Sequence, residues 1–116
     1  MYRLTVLYGR PTDPAAFDRY YHEVHLPLAR KIRGIEGWTI GKCEPIAEGE
    51  IPPYYMIVGI LAKSRADLEA LLDSPEGRAA VADVPNFATG GATFLFDEET
   101  VIVPFEMVEN HSPEAD

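Results

Sequence analysis

Residues 2 to 8, YRLTVLY, place Leu4, Val6 and Tyr8 on one side and Arg3, Thr5 and Leu7 on the other. This period-two pattern predicts a strand covered more heavily on one face. GRPTDP breaks it, with Thr12 or Asp13 available as an N-cap and Pro14 suited to a first helical turn. At roughly 100° per residue, Phe17, Tyr21, Val24 and Leu28 form the inward stripe of the helix that follows. Arg30, Lys31 and Arg33 crowd its far end, where carbonyl dipoles favour cations, and Gly34 is suited to close it. WTIGKCE, from Trp38, predicts a second strand, and YYMIVGILA, residues 54 to 62, a third that is apolar on both parities. Ser64 with Asp67 opens a second helix bearing Leu68, Leu71 and Leu72, and Ser74 with Pro75 opens a short third one. DVPNFATGG is a turn-rich loop, ATFLF a fourth strand, and VIVPFEMV an apolar arm.

The order strand, helix, strand, strand, helix, strand predicts an α+β chain of ferredoxin-like βαββαβ type, an antiparallel four-stranded sheet with helices on one face. We assign residues 1–97 to this domain and 98–116 to a C-terminal arm and acidic tail. The sheet's second face would then be bare, which conflicts with the two-sided apolarity of residues 54 to 62. An identical sheet from a second subunit is the simplest cover, so a homodimer through the open sheet face is expected, with the arm reaching across or lengthening an edge.

The chain has 116 residues, 47% hydrophobic and 25% charged, which suits one domain. Its net charge of −9 is uneven: residues 1 to 42 carry seven Lys or Arg against four acids, the remainder three against fifteen. That balance argues against nucleic acid as a partner. No apolar run approaches the roughly 20 residues of a membrane helix, and the start lacks signal-peptide zones, so no membrane is expected and the reading is cytoplasmic. The single cysteine, Cys43, excludes an internal disulfide or a Cys-rich zinc site and reads as a small strand residue.

Candidate chemistry gathers in FDRYYHEVHLPLARKI, residues 17 to 32. By helical rotation His22 faces solvent, whereas His25 stands about 80° from the stripe, at the margin of the core, where an imidazole reaches a ligand while partly desolvated. Pro27 cannot donate to the Glu23 carbonyl, so a kink there frees an acceptor that could orient the His25 ring. The histidines lack a third ligand at recognisable spacing, and His111 lies in the acidic tail, so no metal is expected. Tyr8, Tyr21, Trp38 and Tyr55 are core material that can also wall a cavity for a small apolar or aromatic ligand. Asn86 can offer it an amide and Phe87 a wall. No phosphate loop, dinucleotide fingerprint or nucleophile motif occurs, so no cofactor is expected and catalysis would fall on His25 as acid or base.

Through LTVLYGRPTDPAAFDRYYHEVHLPLARKI, YYMIVGILAKS and SPEGRAAVADVPNFATGG, the sequence resembles the EthD family over residues 2 to 97. Its most specific parts are Tyr20 to Ala29 and Ser74 to Gly91. The resemblance implies a dimeric α+β barrel and identifies His25 as the family's histidine, with His22 a local variation. It also implies an association with ethyl tert-butyl ether breakdown alongside an oxidative system. Users of this barrel include cofactor-independent monooxygenases, lactone isomerases and haem-binding proteins. Three functions are therefore carried forward: a cofactor-independent enzyme of oxidoreductase or isomerase type using His25, a non-catalytic accessory binding protein of an oxidative degradation system, and a haem binder through His25 or His22.

Overall fold

The structure, a computed structural model, describes residues 1–105. Strand β1 (Tyr2–Gly9) is followed by helix α1 (Pro14–Tyr20), a π-helical turn (Tyr21–His25) and a short helix α2 (Leu26–Ala29). Strands β2 (Gly37–Lys42) and β3 (Tyr54–Ala62) come next, then α3 (Arg65–Asp73), α4 (Pro75–Asp83), a 3₁₀ turn (Val84–Asn86) and β4 (Ala92–Glu98). The sheet is antiparallel throughout, in the order β2-β3-β1-β4, the ferredoxin-like arrangement expected. Cys43 falls just past β2, although its N–H still donates to the Tyr55 carbonyl at 2.9 Å.

Period two decides the faces. Leu4, Val6 and Tyr8 of β1 pair with Ile60, Val58 and Met56 of β3 and pack beneath Phe17, Tyr21, Leu68 and Val84 from the helical segments. Side chains from alternate strand positions point the other way. The register therefore puts Leu7, Ile57, Leu61 and Leu95 on the open face, interleaved with Thr5, Thr39 and Thr93. Ile57 is 44% and Leu95 48% exposed in the single chain. At one end of this face Arg3 grips Asp97 (2.8 Å) and Glu99 (2.9 Å).

Local chemistry sets the helix starts. Asp13 accepts from the Ala16 N–H at 3.1 Å, Ser64 from Asp67 at 3.1 Å, and Ser74 from Gly77 at 3.0 Å, each relieving a donor that a first turn leaves unpaired. Gly77 does more than sit in a first turn. A Cβ there would run into the Leu71 carbonyl and the Leu72 backbone, so glycine is what lets α4 fold back against the end of α3. Gly34, at φ +91°, takes the left-handed conformation after the helical segment.

One expectation is corrected. The stretch from Phe17 to Ala29 is not one regular helix, and Val24, expected inside, is 43% exposed. In the arm, residues 101 to 105 are exposed and add no strand to an edge of this sheet. The last described backbone bond there runs from the Glu99 N–H to the Met1 carbonyl. The rest of VIVPFEMV, the acidic tail and His111 lie outside the described residues.

Candidate functional site

The π-turn explains Val24 and creates the site. In an α-helix, four residues advance by about 400°, so positions spaced by four drift around the cylinder. Here Phe17, Tyr21, His25 and Ala29 are all buried. The Leu26 N–H reaches back five residues to the Tyr21 carbonyl, and this wider turn cancels the drift. The stripe runs 17, 21, 25, 29 in place of 17, 21, 24, 28. Pro27 is compatible with the change, since it lacks the donor a regular α-helical ladder would use there. His25 is thus carried from the shoulder of the helix to its inner face, 6% exposed.

What holds the imidazole also differs from expectation. The Nδ1 of His25 lies 3.0 Å from Oδ2 of Asp83, at the end of α4, so a side chain from another element orients the ring. No bond from the Glu23 carbonyl to the ring occurs among the described residues. Asp83 is 9% exposed and fully engaged: its Oδ1 accepts from the Tyr20 hydroxyl at 2.7 Å and from the Asn86 amide at 3.0 Å. Burial pushes its carboxyl up, but the hydrogen bonds from Tyr20, Asn86 and His25 outweigh this and hold it below the usual carboxylate range. An ionised carboxylate accepts only, so Nδ1 carries a proton, and the one-proton form of the ring has its lone pair on Nε2.

His25 borders a cavity of about 50 Å³ between the helices and the sheet. Its walls are largely aliphatic, from Val58, Ile60, Ala80 and Val84 among others, and among the described residues no Lys, Arg, Asp or Glu lines it. Tyr8, Tyr21 and Trp38 line it with His25. Burial drives the Tyr21 phenol up to about 12, against a smaller opposing effect of the Trp38 indole N–H. Burial drives Tyr8 higher still, helped by the neighbouring Tyr21 and Asp83. Both phenols are therefore neutral O–H groups at physiological pH.

The other expected site residues lie elsewhere. Phe87 packs on His25 at 4.7 Å between ring centres and stacks on Tyr20 at 5.4 Å, and with Asn86 it lines a separate surface groove of about 210 Å³. Asn86 spends its amide on Asp83. Tyr55 joins a distant cluster, donating to Asp18 at 2.9 Å with Lys42 3.0 Å from its hydroxyl. His22 is solvent-exposed, as its rotation implied. Among the described residues no three His, Cys, Asp or Glu side chains converge as a metal site. Also among them, no helix is long and apolar enough to cross a membrane.

Sequence reasoning passed over Asp83 and Tyr20. A signal for Asp83 was present: Gly77, Ala80 and Asp83 repeat at three-residue spacing along the buried side of α4, so the acid stands where an apolar residue belongs.

The sequence profile of the EthD domain family matches residues 9–91, from the end of β1 to the start of β4. The chain belongs to the EthD family. An uncharacterized 11.0 kDa protein in the thcB-thcC intergenic region of Rhodococcus erythropolis is 41% identical over 104 residues, covering 90% of this chain and 100% of that one. Among solved structures, an EthD family protein of Bacillus halodurans C-125 superposes with a TM-score of 0.80 at 28% identity, covering 86% of this chain and 99% of that one. An EthD-like protein of Ralstonia eutropha JMP134 gives 0.67 at 19% identity, with 88% and 92% covered. A dimeric ferredoxin-like protein of unknown function from Thermobifida fusca YX gives 0.61 at 18%, with 83% and 88% covered. The last two likenesses concern the fold alone. His25, Asp83, Tyr8, Tyr21 and Asn86 all fall inside the EthD-matched span or one residue beyond its start.

Proposed function

We propose that this EthD-family chain is a cofactor-independent proton-transfer enzyme for a small, neutral, oxygenated or aromatic molecule, with His25 as acid and base. One observation carries the reading: a buried histidine pinned through Nδ1 by a fully engaged aspartate, beside a cavity walled by uncharged aliphatic and aromatic side chains. Asp83 fixes the tautomer and steadies the imidazolium that forms when Nε2 takes a proton. Isomerisation, dehydration and cofactor-free oxidation all need such a group. The absence of charge among the lining residues favours a neutral occupant, since an ion would be desolvated there without a partner. A space of about 50 Å³ beside His25 favours an occupant much smaller than a haem.

The unit is a homodimer joined by the open sheet faces, which hides Leu7, Ile57, Leu61 and Leu95 from water. Dimeric relatives of this fold support that reading.

A thermal-shift screen of small phenols, ketones and ethers, followed by turnover assays of the hits, tests the function. We expect His25→Gln to abolish turnover while circular dichroism still shows the folded protein at room temperature. Full activity in that variant would remove His25 from the chemistry. Binding that survives in it, with no hit turned over by the wild type, would make the protein an accessory binder.

A further inference from the structure

Two residues that line the cavity carry hydroxyl groups unused by the fold itself. Tyr8 and Tyr21 are each 2% exposed and each borders the cavity, yet neither hydroxyl makes a hydrogen bond among the described residues. Buried side-chain polar atoms are normally paired, and an unused donor facing a cavity is a place for a ligand atom. The one sealed, unpartnered side-chain polar atom among the described residues is Nε1 of Trp38, on the same wall. That N–H lowers the Tyr21 phenol slightly against its burial, without a hydrogen bond of its own among the described residues. Burial keeps the Tyr21 phenol protonated, so its hydroxyl has a proton to donate. Tyr8, raised by burial and by the nearby Tyr21 and Asp83, likewise keeps its proton to donate.

From this arrangement, and resting on the proton-transfer reading above, we infer that the occupant is a small enolisable carbonyl compound whose oxygen accepts from the Tyr8 and Tyr21 hydroxyls. Two hydroxyl donors beside an uncharged ligand suit an oxygen with two lone pairs, and they act most strongly when that oxygen gains charge. In the step, the C–H bond next to the carbonyl breaks, its proton passes to Nε2 of His25, and the electron pair moves through carbon to the oxygen. The enolate is held by the two phenols and the imidazolium by Asp83. Return of the proton to the same or another carbon completes an exchange or an isomerisation, with no oxidant or co-reactant. The volume of about 50 Å³ is that of roughly four water-sized spheres, so the acceptor belongs to a compact molecule.

Acetone and isobutene, alike in shape with four heavy atoms each and differing in the acceptor oxygen, are the probes. Trp38 is the only tryptophan, so its indole N–H gives one identifiable NMR signal beside the site. Acetone should move that signal and the hydrocarbon should not. In heavy water the ketone should be deuterated next to its carbonyl, about 10-fold or more slower with Tyr21→Phe and not at all with His25→Gln. An unmoved indole signal up to the solubility limit, or equal response to both probes, overturns the inference, and this wild-type comparison holds even if a variant fails to fold. Exchange undiminished in a Tyr8→Phe, Tyr21→Phe protein also overturns it while leaving His25 as the base. Selective ketone binding without any exchange supports the carbonyl site and removes proton transfer by His25.

Discussion

Asp83 has three hydrogen-bond donors, from Tyr20, Asn86 and His25, which is why a carboxylate survives at 9% exposure. Replacing it with Asn keeps the shape and removes the charged acceptor, so we expect a loss of about 2 kcal/mol in urea unfolding at neutral pH. Its pH signature follows from the depressed carboxyl. Below the ordinary value of 3.8 the unfolded chain takes up the proton first, so this stabilisation is complete above that value and is lost as pH falls through the lower native one. Acid unfolding followed by circular dichroism should therefore show a shallower fall in stability with Asp83→Asn. Part of the slope remains, because Lys42 and Tyr55 hold Asp18 down against its own desolvation and Arg3 holds Asp97 down. At this scale His25 was legible in the sequence as the candidate group, but its partner was not. A hydrogen bond between positions 58 apart depends on how two helices meet, which helical rotation alone does not reveal.

Among the elements, those with strong local punctuation matched the sequence reading best. The β3 bounds 54 to 62 coincide, and the Ser64 and Ser74 caps form as expected. The π-turn was hidden because a 100° rotation assumes regularity, and the choice between Val24 and His25 for the inner face is settled by packing against Phe87 and Asp83. Pro27 was the visible warning, read as a kink when it accompanies a widened turn. Helix α4 brings Asp83 to the site, and Gly77 sets its docking. We expect Gly77→Ala to cost roughly 2 to 3 kcal/mol in urea unfolding, because the added methyl meets backbone that cannot swing away. A change below about 0.5 kcal/mol would mean the α3 and α4 junction is looser than drawn.

For the whole molecule, the topology was readable from the order of elements, and the two-sided apolarity of β3 correctly marked a second apolar face at Ile57 and Leu61. What meets that face is a matter of assembly. We expect sedimentation to show a dimer at micromolar concentration, and Ile57→Lys with Leu95→Lys to give a folded monomer, since buried lysines lose their hydration without a partner. A wild-type monomer would contradict the paired-sheet arrangement and leave the His25 cavity to be judged on its own. That judgement rests on a single ring. The most direct measurement is the ¹⁵N chemical shift of the two His25 nitrogens near pH 7.5. The account predicts a proton-bearing Nδ1 and a bare Nε2, reverting when Asp83 becomes Asn, whereas a proton on Nε2 in the wild type would contradict it.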